Sequence, residues 1–228
     1  MGNEKDVWCD GILSDNDSRP YGVQDWGLTG YEKALERQKE EFSRRLAGKG
    51  ENTLVVTRHE PTITLGKSAS EDDILVDEAV LEEHGVELVE IGRGGGVTYH
   101  GPGQLVLYPI FDLRDYDRDL REFIRRLGSV VGRTAEYFGL ATEFREGEQI
   151  GLWIDGKREK LASIGLRVKR WYTMHGIALN VKLDEEKAGL IRPCGISDTR
   201  LASIADFADV GIDGVKEELL SRFQAEFS

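Results

Sequence analysis

Cys194 is the residue of this sequence best suited to act as a nucleophile. It lies in LIRPCGIS, residues 190 to 197, where Pro193 restricts the backbone before it and Gly195 frees the backbone after it. This pattern predicts a cysteine on a defined turn, where a thiol can meet a substrate. The motif by itself leaves a catalytic and a structural cysteine equally open.

Lys160 is the candidate proton carrier, in EKLASIGLRV, residues 159 to 168. Strand alternation predicts that its face of the strand is otherwise apolar, formed by Ala162, Ile164, Leu166 and Val168. Burial disfavours the charged form of a lysine and lowers its pKa, which suits proton transfer. The alternative is a lysine at a strand end that extends into water.

A third stretch with chemical potential is IGRGGGVTYHGPGQLVLYPI, residues 91 to 110, which has five glycines between positions 92 and 101. Glycine-rich turns let a ligand lie against the backbone, although a plain glycine-rich hairpin fits the composition as well. A dinucleotide fingerprint fails because Tyr99 stands at the third glycine position. A P-loop ending in Gly66-Lys67-Ser68 fails because Pro61 replaces its first glycine.

The fourth stretch is TMHGIALNV, residues 173 to 181. Gly176 and Ala178 fall on one face of the predicted strand and leave a smooth groove, while His175 falls on the other face. A single histidine in a strand is more often a hydrogen-bonding residue than a catalyst, and both interpretations stay open here.

Strands and helices interleave along the chain and position these four stretches. Residues 1 to 27 read as an irregular N-terminal extension, and a helix with a Thr29 and Glu32 capping box follows and ends at Gly48. Asp119 begins a second strong helix, and a third carries the last apolar stripe. We predict one α/β domain around a mixed sheet, covering residues 28 to 228.

Composition excludes several classes of protein. The formal net charge of −12 argues against general nucleic-acid binding. No apolar run reaches the 18 or so residues of a membrane span, and the polar N-terminus is unlike a signal peptide, which predicts a cytosolic protein without membrane attachment. The two cysteines, Cys9 and Cys194, are too few for a disulfide scaffold and lack zinc-site spacing, so each is predicted to be a free thiol in a reducing compartment. We also predict no metal and no cofactor.

Four of these motifs, RGGGVTYHGPGQ, KLASIG, HGIALN and PCGIS, occur in the order and spacing of the lipoyl (octanoyl) transferase family. The chain resembles that family over about residues 28 to 226, including the HEPTITLGKSA stretch. The resemblance implies the fold of biotin and lipoate protein ligases, a mixed sheet flanked by helices, in a monomer.

The resemblance also implies a reaction. Enzymes of this family take octanoyl from acyl carrier protein and hold it as a thioester on the cysteine matching Cys194. They pass it to a lysine of a lipoyl domain, in the 2-oxoacid dehydrogenase complexes or in the glycine cleavage H protein. The lysine matching Lys160 lowers the pKa of that thiol. Substrate contacts are implied for Arg93, Gly94, Gly95, Gly96, Val97, Thr98, Tyr99, His100, Ser163, Ile164, Gly165, Gly176, Ile177 and Ala178.

Three other functions remain open from sequence. An ATP-dependent lipoate or biotin ligase would share the fold but needs no cysteine. A cysteine hydrolase would use His100 or His175 as its base, and a non-catalytic module would only bind lipid or a carrier. If the partner is an acidic carrier protein, its docking face is predicted on the helix from Arg118 to Arg133 or around Arg167, Lys169 and Arg170.

Overall fold

The computed structural model describes residues 19–196 and 198–228, and the side chain of Cys194 lies outside that description. The helices are α1 (Tyr31–Leu46), α2 (Glu78–Glu83), α3 (Leu120–Tyr137), α4 (Glu185–Ala188) and α5 (Ile212–Phe227). The strands are β1 (Gly22–Thr29), β2 (Thr53–His59), β3 (Thr62–Leu65), β4 (Glu87–Glu90), β5 (Val97–His100), β6 (Gln104–Ile110), β7 (Thr142–Arg145), β8 (Gly151–Ile154), β9 (Glu159–Lys169), β10 (Tyr172–Asn180) and β11 (Arg200–Leu201).

The large sheet has the strand order β1-β2-β6-β10-β9-β8-β7, with β11 paired beside β9. The β1–β2 and β9–β11 pairs are parallel and the other pairs are antiparallel, which confirms the predicted mixed sheet. Every residue of β6 and β10 is buried, because helices cover both faces at the centre of the sheet.

Helices α3 and α5 pack together on one face of the large sheet, and α1 covers the other. Helix α3 begins as predicted, because the Asp119 carboxylate accepts hydrogen bonds from the backbone N–H groups of Arg121 and Glu122. Aromatic rings fill the core beneath α5, where Phe223 and Phe227 stack at 4.4 Å between ring centroids.

A second, three-stranded sheet has the order β4-β3-β5 and was not predicted as a separate unit. It encloses its own apolar cluster, which includes Ile63 and Tyr99 together with Leu190 and Ile191. The last two residues directly precede the turn that carries Cys194, so this small sheet supports the approach to that turn.

The irregular structure predicted up to residue 27 is wrong from Gly22 onward, because β1 pairs in parallel with β2. Gly27 misled the prediction: its φ of +62° lies in an irregularity between Asp25 and Leu28 after which the strand continues. The Thr29 capping box is also wrong, since Thr29 ends β1 and Gly30 precedes the helix. Residues 1 to 18 lie outside the described part of the chain, so an extension there stays a prediction.

Among residues 19–196 and 198–228, no helix is both long enough and apolar enough to cross a bilayer.

Candidate active site

A cleft opens where the glycine-rich loop after β4, the first half of β9 and the part of β10 around His175 meet the start of α1. It has about 560 Å³ of space, including the part open to solvent. Its lining contains Tyr31, Arg93, Gly94, Gly95, Gly96, Val97, Thr98, His100, Val106, Tyr108, Glu148, Ile150, Lys160, Ser163, Ile164, Gly165, His175, Gly176, Ile177 and Ala178.

The glycine-rich loop is held from behind by the segment Gly66-Lys67-Ser68. Three successive backbone N–H groups of that segment donate to the carbonyls of Gly96, Arg93 and Gly95, at 3.1 to 3.2 Å. A Cβ on Gly66 would lie 2.2 Å from the carbonyl oxygen of Gly95, so this close approach requires glycine. The Gly-Lys-Ser sequence that failed as a phosphate loop therefore has a structural role here.

Arg93 fastens the same loop from the inside. Its guanidinium donates to the Thr64 carbonyl at 3.2 Å, to the Thr64 hydroxyl at 2.9 Å and to the Thr98 hydroxyl at 2.7 Å. The side chain is buried yet lines the cleft. It therefore brings a fixed positive charge to a wall that glycines otherwise form.

Of the predicted substrate-contacting residues, Tyr99 is the exception in position. Its ring points away from the cleft and packs in the apolar cluster of the small sheet, because successive residues of β5 face opposite sides. The other thirteen line the cleft.

Lys160 faces the cleft and is only 4% exposed, so its predicted burial is correct. The predicted face is wrong. Ala162 pairs with Leu152, but Lys160 pairs with Trp153, so β9 has one extra residue, Leu161, at this point. This β-bulge turns Lys160 away from the apolar face and toward the cleft, a common use of bulges beside functional sites.

The Lys160 side chain fits between two residues of β8. Its Nζ lies 5.5 Å from the centroid of the Trp153 ring, within reach of a cation–π interaction. A Cβ on Gly151 would lie 2.7 Å from Lys160 Cε, and Gly151 has a φ of +144°, which side chains rarely adopt.

Cys194 lies in a short 3-10 turn, Pro193–Gly195, as its flanking residues predict. The chain is anchored before the turn by a β-bridge between Ile74 and Ile191. It is anchored after the turn by β11, in which Leu201 pairs with Lys160.

His175 lies on the same cleft as Gly176 and Ala178, contrary to the predicted opposite face. Its φ of +63° interrupts the alternation of β10 next to Pro109 of β6. Position 176 requires glycine for a different reason from the predicted groove. A Cβ there would lie 2.1 Å from the Leu107 carbonyl oxygen. Close approach of two strands, and not room for a ligand, requires that glycine.

Several cleft residues were not among the predicted substrate contacts, although Val106 and Tyr108 lie in the stretch from 91 to 110: Tyr31, Val106, Tyr108, Glu148 and Ile150. Glu148 lies in a short 3-10 turn, Gly147–Gln149, before β8. The only local signal for Tyr31 and Tyr108 is an aromatic residue on a buried face, which is also typical of ordinary core.

The inner end of the cleft contains neutral rings. Tyr31 stacks on His100 with 5.2 Å between ring centroids. His59 Nδ1–H donates to the Thr29 carbonyl at 3.1 Å, and the Tyr108 hydroxyl donates to His59 Nε2 at 2.6 Å. Burial lowers the pKa of His59 to about 4, that of His175 to about 3, and that of His100 well below its ordinary value.

These depressed pKa values predict acid sensitivity of the fold. The unfolded chain binds protons on histidine below about pH 6.5, while the native chain does not, so each such histidine costs about 1.4 kcal/mol of stability per pH unit. For His59 the loss extends from about pH 6.5 down to about pH 4. The urea midpoint is therefore expected to fall steadily from pH 6.5 to pH 4.5.

A His59→Gln variant is the control for that measurement. Glutamine retains a hydrogen-bond acceptor for Tyr108 without titrating, so the pH slope of its unfolding free energy should be smaller by about 1.4 kcal/mol per unit. An unchanged slope would show that His59 is not held neutral in the native state.

Metal ligation was also tested on the described side chains. Among residues 19–196 and 198–228, histidine, cysteine and carboxylate groups form no cluster of three or more suited to a metal ion.

Fold and cleft together define the class. The family model described as Lipoyl protein ligase A/B catalytic domain matches residues 30–224. Among solved structures, the chain resembles lipoate-protein ligase A bound with ATP, with a TM-score of 0.71, 20% identity and coverage of 90% of this chain and 84% of that one. Biotin protein ligase from Aquifex aeolicus in complex with biotin and ATP gives a TM-score of 0.51, 11% identity and coverage of 90% and 69%. These identities speak for the fold alone, and they confirm the predicted one.

Curated relatives narrow the class further. The octanoyltransferase of Clostridium kluyveri is 33% identical over 201 residues, which cover 88% of this chain and 85% of that protein. The octanoyltransferase of Porphyromonas gingivalis is 40% identical over 220 residues, which cover 91% of this chain but 44% of that longer protein. The chain belongs to the octanoyltransferase family, whose members are acyltransferases with a lipoate-ligase-like catalytic domain.

Proposed function

We propose that the protein transfers an octanoyl group from acyl carrier protein to a lysine of a lipoyl domain, through a thioester on Cys194. The acceptors are lipoyl domains of 2-oxoacid dehydrogenase complexes and the glycine cleavage H protein. The proposal includes a monomer in the cytosol that needs no cofactor.

The first half-reaction acylates the cysteine. A free thiol with a pKa of about 8.5 is only a few per cent thiolate at neutral pH, and a neighbouring ammonium on Lys160 increases that fraction. The Cys194 thiolate attacks the carbonyl carbon of the donor thioester. A new carbon–sulfur bond forms, the carbon–sulfur bond to the carrier breaks, and the leaving carrier thiolate takes its proton from the Lys160 ammonium, which leaves Lys160 neutral.

The second half-reaction releases the acyl group to the acceptor. The acceptor lysine attacks the Cys194 thioester as a neutral amine, and neutral Lys160 takes the proton that the attacking nitrogen loses. The carbon–sulfur bond then breaks, and Lys160 returns the proton to the leaving thiolate. The products are an amide and the free enzyme thiol.

The observation that carries this proposal is the pairing of β11 with the bulged start of β9. A buried lysine faces the cleft beside Trp153, and the segment leaving the Cys194 turn forms its ladder with that lysine. A lysine removed from water, on the strand that pairs with the segment after the Cys194 turn, supports both proton steps.

The apolar part of the cleft supports an acyl substrate. Val106 and Ala178 line the cleft and provide apolar surface for an alkyl chain, whose burial is favourable by about 0.8 kcal/mol per methylene. Gly94 is a poor candidate for the oxyanion hole because its N–H already donates to the Leu166 carbonyl at 3.3 Å. Gly95, Gly96 and the Cys194 turn remain the candidates.

Intact mass spectrometry after mixing with octanoyl acyl carrier protein tests the proposal. Wild type should gain one octanoyl group that hydroxylamine removes, and Cys194→Ala should gain none. Cys9→Ala is the matched control and should acylate like wild type. An unmodified wild-type chain that transfers acyl groups only with ATP would instead assign the ligase chemistry.

A cysteine hydrolase is disfavoured by the two candidate bases. Both nitrogens of His100 face protein partners, Gln104 at 2.7 Å and Thr64 at 3.4 Å. A His175 pKa of about 3 makes that imidazole a weak base at neutral pH.

For the carrier, the β9 end is the better of the two candidate docking faces. On α3, Arg125 pairs with Glu146 at 2.7 Å, and Arg133 pairs with Glu226 at 3.7 Å. Arg167, Lys169 and Arg170 are exposed, and no carboxylate of the described residues lies within ion-pair distance of them. Arg167 also lies against Gly92, beside the cleft.

Charge reversal separates these faces. With a net charge of −12, the chain repels an acidic carrier except at a local basic surface. The Arg167→Glu/Lys169→Glu variant is expected to lower kcat/KM for octanoyl acyl carrier protein by about tenfold at low salt and to flatten its salt dependence. The matched reversal is Arg125→Glu/Arg126→Glu. A larger effect from this second variant would move the docking face to α3.

A further inference from the structure

Three buried side chains form a continuous polar chain beneath the cleft. His100 Nδ1 lies 2.7 Å from Gln104 Oε1, and Gln104 Nε2 lies 2.9 Å from Asn180 Oδ1. Asn180 Nδ2 in turn donates to the carbonyls of Lys160 at 3.3 Å and Ala202 at 3.0 Å. These hydrogen bonds therefore connect His100, at the end of the glycine-rich segment, to the backbone of Lys160 in β9.

The donor and the acceptor of each hydrogen bond in this network follow from the chemistry of the side chains. Gln104 gives both amide hydrogens to acceptors, the Tyr99 carbonyl at 3.0 Å and Asn180 Oδ1. Its Oε1 must therefore accept from His100, which requires the Nδ1–H tautomer of a neutral imidazole. Asn180 cannot turn its amide over, because its oxygen would then face two carbonyl oxygens.

The far end of this network reaches the backbone of Lys160, the proposed proton carrier. The Lys160 carbonyl accepts from Asn180 and also from the Ala202 N–H at 2.9 Å. Asn180 thus joins the bulged start of β9 to the first residue after β11. The second of these segments follows the Cys194 turn along the chain and pairs with Lys160 through Leu201.

We propose that Asn180 and Gln104 are positioning residues for the acyl transfer reaction. Asn180 holds the Lys160 backbone and the Ala202 segment in one arrangement, and Gln104 orients the Asn180 amide. Neither residue touches the acyl group. The inference rests on the proposed function, because it assigns meaning to the separation of Cys194 and Lys160.

The test measures the thiol directly, without substrate. The rate of iodoacetamide alkylation at Cys194 is followed against pH by peptide mass spectrometry, with Cys9 in the same digest as an internal reference. Asn180→Ala and Gln104→Ala are each expected to move the Cys194 midpoint upward by about one pH unit, a tenfold lower thiolate fraction at neutral pH. Because both act through one contact, Gln104→Ala should add little in an Asn180→Ala background.

The matched control is Asn52→Ala, which removes another buried asparagine with three side-chain hydrogen bonds, far from the cleft. It should lower thermal stability by a similar amount and leave the Cys194 midpoint unchanged. If Asn180→Ala does not fold, Asn180→Ser and Gln104→Glu replace it, the latter because its carboxylate can no longer donate to Asn180.

Folded Asn180 or Gln104 variants with a wild-type midpoint would overturn the positioning role. The proposed function fails separately, if Lys160→Ala itself leaves the midpoint unchanged. A midpoint shift in Lys160→Ala but not in the Asn180 variants therefore rejects only the positioning role of Asn180 and Gln104.

Discussion

Replacing Lys160 with alanine is expected to lower octanoyl transfer by about 10²- to 10⁴-fold, the usual contribution of a positioned proton carrier. The change also removes the ammonium that stabilises the Cys194 thiolate. The pH midpoint of Cys194 alkylation should consequently rise, because the charged form of the thiol loses its partner. Single-turnover transfer and the alkylation profile measure the two effects independently.

Two further variants make the Lys160 result specific. Lys160→Arg keeps a positive charge but cannot accept a proton near neutral pH, so acylation of Cys194 should survive better than delivery to the acceptor lysine. Lys157→Ala removes an exposed lysine from the turn before β9 and should behave like wild type. Equal losses in Lys157→Ala and Lys160→Ala would contradict a specific role for Lys160.

Gly151→Ala is expected to impair activity without altering any group that meets the substrate. The new Cβ would lie 2.7 Å from Lys160 Cε and 2.2 Å from the Ala162 carbonyl oxygen, at a φ of +144°. Strain of this kind costs roughly 1–3 kcal/mol, and relief requires Lys160 to leave its place beside Trp153. We expect a lower melting temperature together with a lower kcat and a raised midpoint of Cys194 alkylation.

Gly214→Ala is the matched control, since its Cβ meets nothing within 4 Å and its backbone is helical. That variant should be as stable as wild type or more stable, by up to about 1 kcal/mol, with unchanged kinetics. A Gly151→Ala protein that melts early yet transfers octanoyl at the normal rate would show that Lys160 keeps its place despite the strain.

The sequence predicts the participants of this site better than their orientation. The glycine-rich segment and the KLASIG and HGIALN stretches line one cleft because each has an unusual local composition. The face of Lys160 could not be predicted, because the bulge at Leu161 exists only in the register between β8 and β9. Gly176 was assigned to a ligand for the same reason: the strand that requires it, β6, is nearly 70 residues away in the chain.

The wrong prediction of irregular structure at residues 22 to 27 has a related origin. Gly27 in β1 carries a turn signal locally, while its strand is specified by pairing with β2 across α1. Tyr99 shows the opposite case. Its motif placed it among substrate contacts, but the alternation of β5 places its ring in the core of the small sheet.

The bonds between the glycine-rich loop and the Gly66-Lys67-Ser68 segment have a thermodynamic consequence for binding. Glycine residues in a flexible loop lose more backbone conformational entropy on ordering than other residues do. Here the three amide-to-carbonyl bonds and the Arg93 side chain order the loop when the chain folds. The loop is therefore ordered before an acyl group binds, and the free energy of binding is not reduced by the entropy cost of ordering the loop.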